Sequence, residues 1–108
     1  FWELLIPQYD LATVKSLVHN QRNIIMLGNS RRDRINLGYE MSDVQACINM
    51  LQEDGFHRTH EYGDHTVDSY KISYLLSGQE MADNLYIKFY IDREQQIVVK
   101  VLSFHMDR

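Results

Sequence analysis

Apolar residues in the first half of the chain recur at the 3.6-residue period of an α-helix. Asp10 is a typical N-cap, and the apolar residues after it predict a helix that runs to about Asn20. Ser42 and Gln45 have the spacing of a capping box, and Gly55 is a typical helix stop. A second amphipathic helix is therefore predicted to begin at Ser42 and to end before Gly55. The residues on the predicted buried faces are Leu11, Val14, Leu17 and Val18 in the former helix and Val44, Cys47, Ile48 and Leu51 in the latter.

A shorter helix is predicted between these two, from Asn29 to Gly38. Asn29 or Ser30 is expected to cap it, because short polar side chains accept hydrogen bonds from the free backbone N–H groups of a first turn. The three arginines of this helix are expected to face solvent. They are Arg31, Arg32 and Arg34.

Beyond Gly55 the period changes from 3.6 to 2, and β-branched and aromatic residues become frequent. The alternation predicts four strands, with turn residues at Gly63-Asp64, Ser77-Gly78 and Arg93-Glu94-Gln95. The predicted strands run from Phe56 to Tyr62, Thr66 to Leu75, Leu85 to Asp92 and Ile97 to Met106. Short connections favour an antiparallel meander. The chain is therefore predicted to have an α+β fold, with N-terminal helices packed on one face of a C-terminal antiparallel sheet.

The third predicted strand indicates which residues lie on the open face of the sheet. Its apolar residues alternate with aromatic and charged ones, so the two sets point to opposite faces. The apolar set, expected to face the helices, is Leu85, Ile87, Phe89 and Ile91. Tyr86, Lys88 and Tyr90 would then be open to solvent, where tyrosine rings can stack on RNA bases and a lysine can meet phosphate. An ordinary half-solvated strand has a similar composition, so the pattern alone leaves both interpretations open.

The chain of 108 residues is 44% hydrophobic, which is typical of one compact domain, here residues 1–108. Cys47, the single cysteine, lies on a predicted apolar face and is interpreted as a small buried hydrophobe rather than a nucleophile. No apolar run approaches the roughly 20 residues that cross a bilayer, and no signal-peptide pattern opens the sequence. We therefore expect a cytoplasmic protein with no membrane partner.

The formal charge of −4 is unusual for a protein that binds nucleic acid, because phosphate binding favours a basic surface. An acidic protein can nevertheless contain a cationic cleft, so the distribution of charge decides more than its sum. The densest basic group is formed by the three arginines of the middle helix. The acidic residues cluster at Glu53, Asp54, Glu61, Asp64 and Asp68.

Residues 57–65 are rich in titratable side chains, including three histidines that suggest a zinc site. The odd spacing of His57 and His60 would place them on opposite faces of a strand, and no Cys-x-x-Cys or His-Glu-x-x-His pattern is present. We therefore expect no metal. A catalytic triad of Ser103, His65 and Asp64 lacks a nucleophile-elbow pattern and is disfavoured.

RNA can also be cleaved without a metal or another cofactor. A base removes the proton of the ribose 2′-OH, cations stabilise the pentacoordinate phosphate, and an acid protonates the leaving 5′ oxygen. The residues of the predicted sheet that suit this chemistry are Arg58, His65, Tyr86, Lys88 and His105. Each also has a structural interpretation, as a surface, turn or packed side chain.

Several blocks of the sequence resemble the MqsR family of toxins. Residues 7–18 (PQYDLATVKSLV) resemble the proline, tyrosine and Thr-Val-Lys-x-Leu helix with which that family opens. Residues 54–59 (DGFHRT) resemble its Asp-Phe-Tyr-Lys-Ser block, and residues 62–66 (YGDHT) its Tyr-x-Asp-His block. Residues 85–88 (LYIK) and 103–105 (SFH) resemble its Tyr-x-Lys and Ser-Phe-Lys strands. The blocks keep the family's order and cover nearly the whole chain.

The resemblance implies a RelE-like fold and a toxin of a type II toxin–antitoxin pair, an endoribonuclease that cleaves mRNA to arrest growth and is neutralised by a cognate antitoxin protein. No cofactor and no DNA binding by the toxin itself are expected. By position, the family's catalytic residues fall on Arg58, Tyr86 and His105. The arginine suits phosphate stabilisation because it is a poor proton donor, and the histidine suits acid–base chemistry near neutral pH.

Four further residues are expected to bind the substrate: His65, Ser69, Lys88 and Tyr90. The family's catalytic glutamine has no counterpart in this chain, and Ser69 is the nearest aligned position. This departure leaves a second interpretation open, in which the chain is a catalytically weak RNA- or protein-binding module of the same fold.

Overall fold

The structure, a computed structural model, describes residues 6–107. The helices are α1 (Leu11–Val18), α2 (Asn29–Leu37) and α3 (Met41–Asn49). The strands are β1 (Ile24–Met26), β2 (Phe56–Tyr62), β3 (His65–Tyr74), β4 (Asp83–Asp92) and β5 (Val98–Met106). The helices precede the four long strands, which confirms the predicted α+β fold. No helix within residues 6–107 combines the length and the hydrophobicity that spanning a membrane requires.

Local hydrogen bonding decides where α1 and α2 begin. Asp10 caps α1 as predicted, because its carboxylate accepts a hydrogen bond from the backbone N–H of Thr13 at 3.1 Å. α2 instead follows Gly28, which has a φ of 50° and no side chain with which to cap the helix. The predicted capping by Asn29 or Ser30 is therefore wrong.

Buried contacts attach α2 to the edge of β5. The hydroxyl of Ser30 is fully buried and lies 2.8 Å from the carbonyl oxygen of Val101. Arg34 is half-buried, and its Nη1 donates to the carbonyl oxygen of Tyr39 at 2.8 Å. The prediction that all three arginines face solvent is therefore wrong for Arg34, while Arg31 and Arg32 are exposed.

The predicted boundaries of α3 are also wrong, although its buried face is right. Glu40 and Asp43 form the capping box of the helix, and Ser42 and Gln45 do not. The carboxylate of Asp43 accepts a hydrogen bond from the backbone N–H of Glu40 at 2.8 Å. It ends at Asn49, and Gly55 ends a separate 3₁₀ turn instead. The predicted apolar residues Val44, Cys47, Ile48 and Leu51 are all fully buried.

The sheet has the strand order β1-β5-β4-β3-β2. Its last four strands form the predicted antiparallel meander. β1 pairs in parallel with β5, with Ile24 opposite Val99, so the sheet is mixed and the expectation of a purely antiparallel sheet is wrong at this edge. Three residues are too few to show an alternating pattern, which explains why β1 was not predicted.

The core lies between one face of the sheet and the helices. Leu85, Ile87 and Phe89 of β4 have no exposed surface, which confirms their predicted orientation. Cys47 is fully buried as well. Burial, followed by the negative charges of Asp43 and Asp83, raises the pKa of its thiol to about 12. The thiol is therefore a core group, as predicted.

The segment before α1 is anchored to the same face of the sheet by Asp68, whose side chain is fully buried. One carboxylate oxygen accepts from the backbone N–H of Gln8 at 2.9 Å and from the hydroxyl of Thr59 at 2.8 Å. The other accepts from the backbone N–H of Tyr9 at 2.9 Å. Asp68 therefore belongs to the scaffold and not to an exposed acidic patch.

Candidate functional site

The sheet face opposite the helices, called the open face below, carries cationic and aromatic side chains from four strands. β4 is regular here, and Tyr86 and Lys88 alternate with its buried apolar residues as predicted. Tyr90 is buried as well, so its predicted exposure to solvent is wrong. β2 and β5 each contain a β-bulge. These two bulges decide which of their side chains reach the open face.

The bulge in β2 lies at His57. Phe56 pairs with a core residue of β3 and Arg58 pairs with Ser69, so His57 and Arg58 together oppose one residue. A regular strand would point Arg58 to the same face as Phe56, which packs on the core. The extra residue shifts the alternation by one and turns Arg58 and His60 onto the open face.

The bulge in β5 lies at Leu102. Two consecutive residues of β4 pair with Val101 and Ser103, which leaves Leu102 unpaired between them. Because Val101 is fully buried, a regular strand would also point Ser103 and His105 towards the helices. The bulge instead places His105 opposite Tyr86 on the open face.

The register arranges these side chains in two cross-strand rows. The first row is Arg58, Ser69, Lys88 and Ser103, and the second is Lys71, Tyr86 and His105. Adjacent strands lie about 4.8 Å apart, so the backbones of Arg58 and Lys88 are about 10 Å apart on either side of Ser69. Ser69, which lies between them, is fully buried.

The charges of Arg58 and Lys88 are available to an anionic ligand. Within the described range, no carboxylate lies within 4.0 Å of a cationic nitrogen of either residue. The Nζ of Lys88 lies 6.0 Å from the centroid of the Tyr62 ring, a distance typical of a cation–π contact. The ion pairs found in residues 6–107 are Lys71–Asp107 at 3.5 Å and Lys100–Asp92 at 2.6 Å.

Tyr86 lies among three histidines. Its ring stacks on that of His105 with the centroids 5.3 Å apart, and meets the ring of His57 edge-on at 6.0 Å. Its hydroxyl oxygen lies 3.3 Å from Nε2 of His60. The same nitrogen lies 3.3 Å from the hydroxyl oxygen of Ser69. The phenol is thus held by contacts from β2 and β5 at once.

The expectation that His57 and His60 lie on opposite faces is wrong, because the bulge breaks the alternation between them. Burial, followed by the positive charges of Lys88 and Arg58, lowers the pKa of His60 from its ordinary 6.5. Burial, followed by the charges of Lys71 and Arg58, lowers that of His57. Both shifts favour the neutral imidazole at pH 7. In the part of the chain that is described, no three His, Cys, Asp or Glu side chains form a group suited to a metal ion.

The backbone fixes the protonation pattern of His105. Its Nδ1 lies 2.9 Å from the carbonyl oxygen of Met106. A carbonyl oxygen only accepts hydrogen bonds, so Nδ1 carries a proton. Nε2 is therefore the nitrogen of His105 that can exchange a proton with a ligand.

A cleft of about 330 Å³ lies beside these residues, between the open face and the start of α2. This volume is at the lower end of the range for small-ligand sites, roughly 300–1,000 Å³. Its lining residues are Asn29, Asp33, Tyr62, Lys88, Leu102, Ser103 and His105. A larger groove of about 570 Å³ runs between α1 and residues 51–54, and none of the predicted site residues line it.

The structure brings together Arg58, Tyr86, Lys88 and His105, but not all of the predicted substrate-binding residues. His65 stacks on Tyr90, with the ring centroids 4.2 Å apart, and is not among the residues that line the cleft. Tyr90 follows Tyr86 by four positions in β4, which is about 13 Å along a strand. Tyr90 is only 5% exposed and Ser69 is fully buried, so each offers little surface to a ligand. Substrate binding by His65, Ser69 and Tyr90 stays a prediction.

Other polar residues of the site were not predicted. His57 and His60 were considered only as metal ligands, and Lys71, Ser103, Asn29 and Asp33 were not assigned to an RNA site. No local pattern indicates these positions, because they depend on two bulges and on the placement of α2 beside β5. The one feature of the sequence that pointed to a site here was the density of titratable residues between positions 57 and 65.

The fold and this face together define a class of protein: a small α+β protein whose open sheet face carries cations, a tyrosine and histidines. The family described as "Motility quorum-sensing regulator, toxin of MqsA" matches residues 6–106. The chain belongs to this family of toxins, which confirms the resemblance seen in the sequence. No curated protein matches the chain.

Proposed function

We propose that this chain is the toxin of a toxin–antitoxin pair and acts as a metal-independent endoribonuclease on mRNA in the cytoplasm, with residues 1–108 forming one ribonuclease domain. Family membership supports the toxin assignment. The observation that supports the chemistry is the convergence of Arg58, Lys88, Tyr86 and His105 on one face. This set provides two cations and two groups that can exchange protons.

The scissile phosphate is proposed to bind between the side chains of Arg58 and Lys88. The two charges approach the phosphate from opposite sides, and neither is neutralised by a carboxylate within the described residues. Arginine can donate two parallel hydrogen bonds to phosphate oxygens, and lysine adds a compact positive charge. Both cations would stabilise the extra negative charge of the pentacoordinate phosphate.

Proton transfer is assigned to Tyr86 and His105. The hydroxyl oxygen of Tyr86 would accept the proton of the ribose 2′-OH as the phenol proton passes to a second base, and the 2′ oxygen attacks phosphorus. The bond from phosphorus to the 5′ oxygen then breaks, and Nε2–H of protonated His105 gives its proton to that oxygen. The products would be a 2′,3′-cyclic phosphate and a free 5′-OH. Because the rings of Tyr86 and His105 are stacked, the two groups can reach oxygens of the same phosphodiester.

Neutralisation by an antitoxin is proposed from the family's description, which names MqsA. The net charge of −4 does not exclude RNA binding, because the charges that face the ligand matter more than their sum over the chain. His65 would meet a neighbouring nucleotide of the same RNA strand, and Tyr90, on which its ring stacks, would support it.

The test is induction of the wild type and of Arg58→Ala, Tyr86→Phe and His105→Ala in cells, followed by measurement of growth and of RNA cut sites. His19→Ala serves as the matched control, because His19 is exposed and follows α1. We expect growth arrest and cleavage with the wild type and the control, and loss of both with the three site variants. Equal toxicity of all five proteins would refute the assignment.

A second experiment separates the remaining alternatives with purified protein. Cleavage of RNA in the presence of EDTA, giving cyclic phosphate ends, is expected. Cleavage that disappears with EDTA would favour a metal-dependent enzyme instead. A folded protein that binds RNA or an antitoxin but yields no fragments would favour the catalytically weak binding module.

A further inference from the structure

The hydroxyl of Tyr86 has one hydrogen-bond partner among residues 6–107, Nε2 of His60 at 3.3 Å. The two residues come from β4 and β2, with β3 between them. The contact is possible because Ser69, the β3 residue between them, is too small to block the phenol. The bulge at His57 is also required, since it turns His60 onto the open face.

The hydrogen bonds around His60 define the tautomer that a proton transfer from Tyr86 requires. The hydroxyl of Ser69 donates to the carbonyl oxygen of Arg58 at 3.0 Å, so it does not need Nε2 of His60 as an acceptor. The hydroxyl of Tyr86 finds an acceptor in this network only if Nε2 is unprotonated. The transfer therefore requires the neutral imidazole with its proton on Nδ1; in the other tautomer Nε2–H would donate to the hydroxyl oxygen of Ser69 or of Tyr86.

The charges around His60 favour this neutral form. Lys88 on β4 and Arg58 and His57 on β2 lie near it, and together with burial they lower its pKa. Asp68 on β3 acts in the opposite direction and is the weakest of these influences. A neutral imidazole at pH 7 is free to accept a proton.

We propose that His60 is a positioning residue for the ribonuclease reaction, which acts through Tyr86 as the final acceptor of the proton of the ribose 2′-OH. The inference rests on the function proposed above. As the 2′ oxygen attacks phosphorus, its proton moves to the oxygen of Tyr86, and the phenol proton moves to Nε2 of His60. Tyr86 stays neutral throughout, and His60 becomes an imidazolium that later releases its proton to water.

The hydrogen bond can be tested without measuring activity. Nitrogen-15 NMR of the imidazoles in the full chain should show His60 as the Nδ1–H tautomer, with a titration midpoint below 6.5. Tyr86→Phe keeps the ring contacts with His57 and His105 and removes only the hydroxyl, so it should shift the Nε2 resonance of His60. An Nε2–H tautomer, or a His60 signal unchanged by Tyr86→Phe, would overturn the proposal.

Kinetics test the proton transfer. We expect His60→Ala to lower kcat about 100-fold with little change in KM, since general base catalysis typically contributes 10²–10⁴-fold. His60→Gln keeps an oxygen that can accept from Tyr86 but cannot take up a proton, so it should lack the loss of rate at acid pH that we expect of the wild type. The double variant with Tyr86→Phe should be no slower than Tyr86→Phe alone, because the two residues act in one relay.

The controls separate this inference from the proposed function. His19→Ala should cleave RNA like the wild type. A wild type that cleaves RNA while His60→Ala and His60→Gln retain full kcat and the same pH profile would overturn the relay and leave the ribonuclease function standing. A wild type that does not cleave would overturn the function and the proton transfer with it, while NMR would still decide the hydrogen bond. Thermal unfolding identifies a misfolded variant. If either His60→Ala or His60→Gln misfolds, the other variant tests the relay.

Discussion

The substitution Asp68→Asn tests the anchor that holds the segment before α1 on the sheet. The wild-type carboxylate is fully buried and accepts three hydrogen bonds, from the backbone of Gln8 and Tyr9 and from the hydroxyl of Thr59. Asparagine keeps the shape of the side chain, but an amide nitrogen replaces one oxygen. The amide nitrogen is a hydrogen-bond donor, and it then faces a second donor, the backbone N–H of either Gln8 or Tyr9.

The cost follows from the number and type of these bonds. A hydrogen bond to a charged group contributes about 1.5–3 kcal/mol, and a neutral one about 0.5–1.5 kcal/mol. The variant loses one charged bond and converts the others to neutral ones. We therefore expect a loss of about 3 kcal/mol, a large part of the roughly 5–15 kcal/mol by which a domain is stable.

Urea unfolding followed by circular dichroism measures this loss as a lower midpoint with an unchanged slope. Asp64→Asn is the matched control, because Asp64 is exposed in the turn between β2 and β3 and should change the free energy of unfolding by less than about 0.5 kcal/mol. An Asp68→Asn variant as stable as the control would show that the buried carboxylate does not anchor the segment.

Three further predictions concern the scaffold. Gly55→Ala should destabilise the protein by about 1–3 kcal/mol in the same urea assay, because the new Cβ would lie 2.7 Å from the backbone carbonyl oxygen of Lys71; unchanged stability would contradict this close approach. Ser30→Ala should cost only about 0.5–1.5 kcal/mol, since both carbonyl oxygens near its hydroxyl also accept backbone N–H groups; a loss above about 3 kcal/mol would require another role. Cys47 should resist a thiol reagent at pH 8 in the native protein and react fully in urea, because its pKa is raised to about 12. The folded thiol therefore holds its proton more tightly than the unfolded one, whose ordinary pKa is 9.0, so stability should fall as the pH rises from about 9 towards 12.

The parts of the fold that repeat a period could be predicted from the sequence. The alternation in β4 predicted which of its residues lie on each face of the sheet. The spacing of Val44, Cys47 and Ile48 predicted the buried face of α3. Elements without a period could not be predicted. β1 has three residues, and the start of α2 depends on the backbone conformation of Gly28.

The candidate site was predictable only where its strand is regular. Tyr86 and Lys88 follow from alternation, whereas the orientation of Arg58 and His105 depends on the two bulges. A bulge changes the pairing of backbones, and no residue type marks it at His57 or Leu102. Periodicity therefore assigned His57 and His60 to opposite faces, and this assignment was wrong for a physical reason: register is a property of two strands, not of one.

The two bulges also determine how the site can change over evolution. Because Phe56 and Arg58 pair with consecutive residues of β3, loss of His57 would restore regular pairing and leave both neighbours facing as they do now. Loss of Leu102 would have the same effect between Val101 and Ser103. Each bulge is thus a position where the chain can gain or lose one residue beside the site without reorienting the rest of the strand. Relatives of different strand length can in this way keep the same functional face.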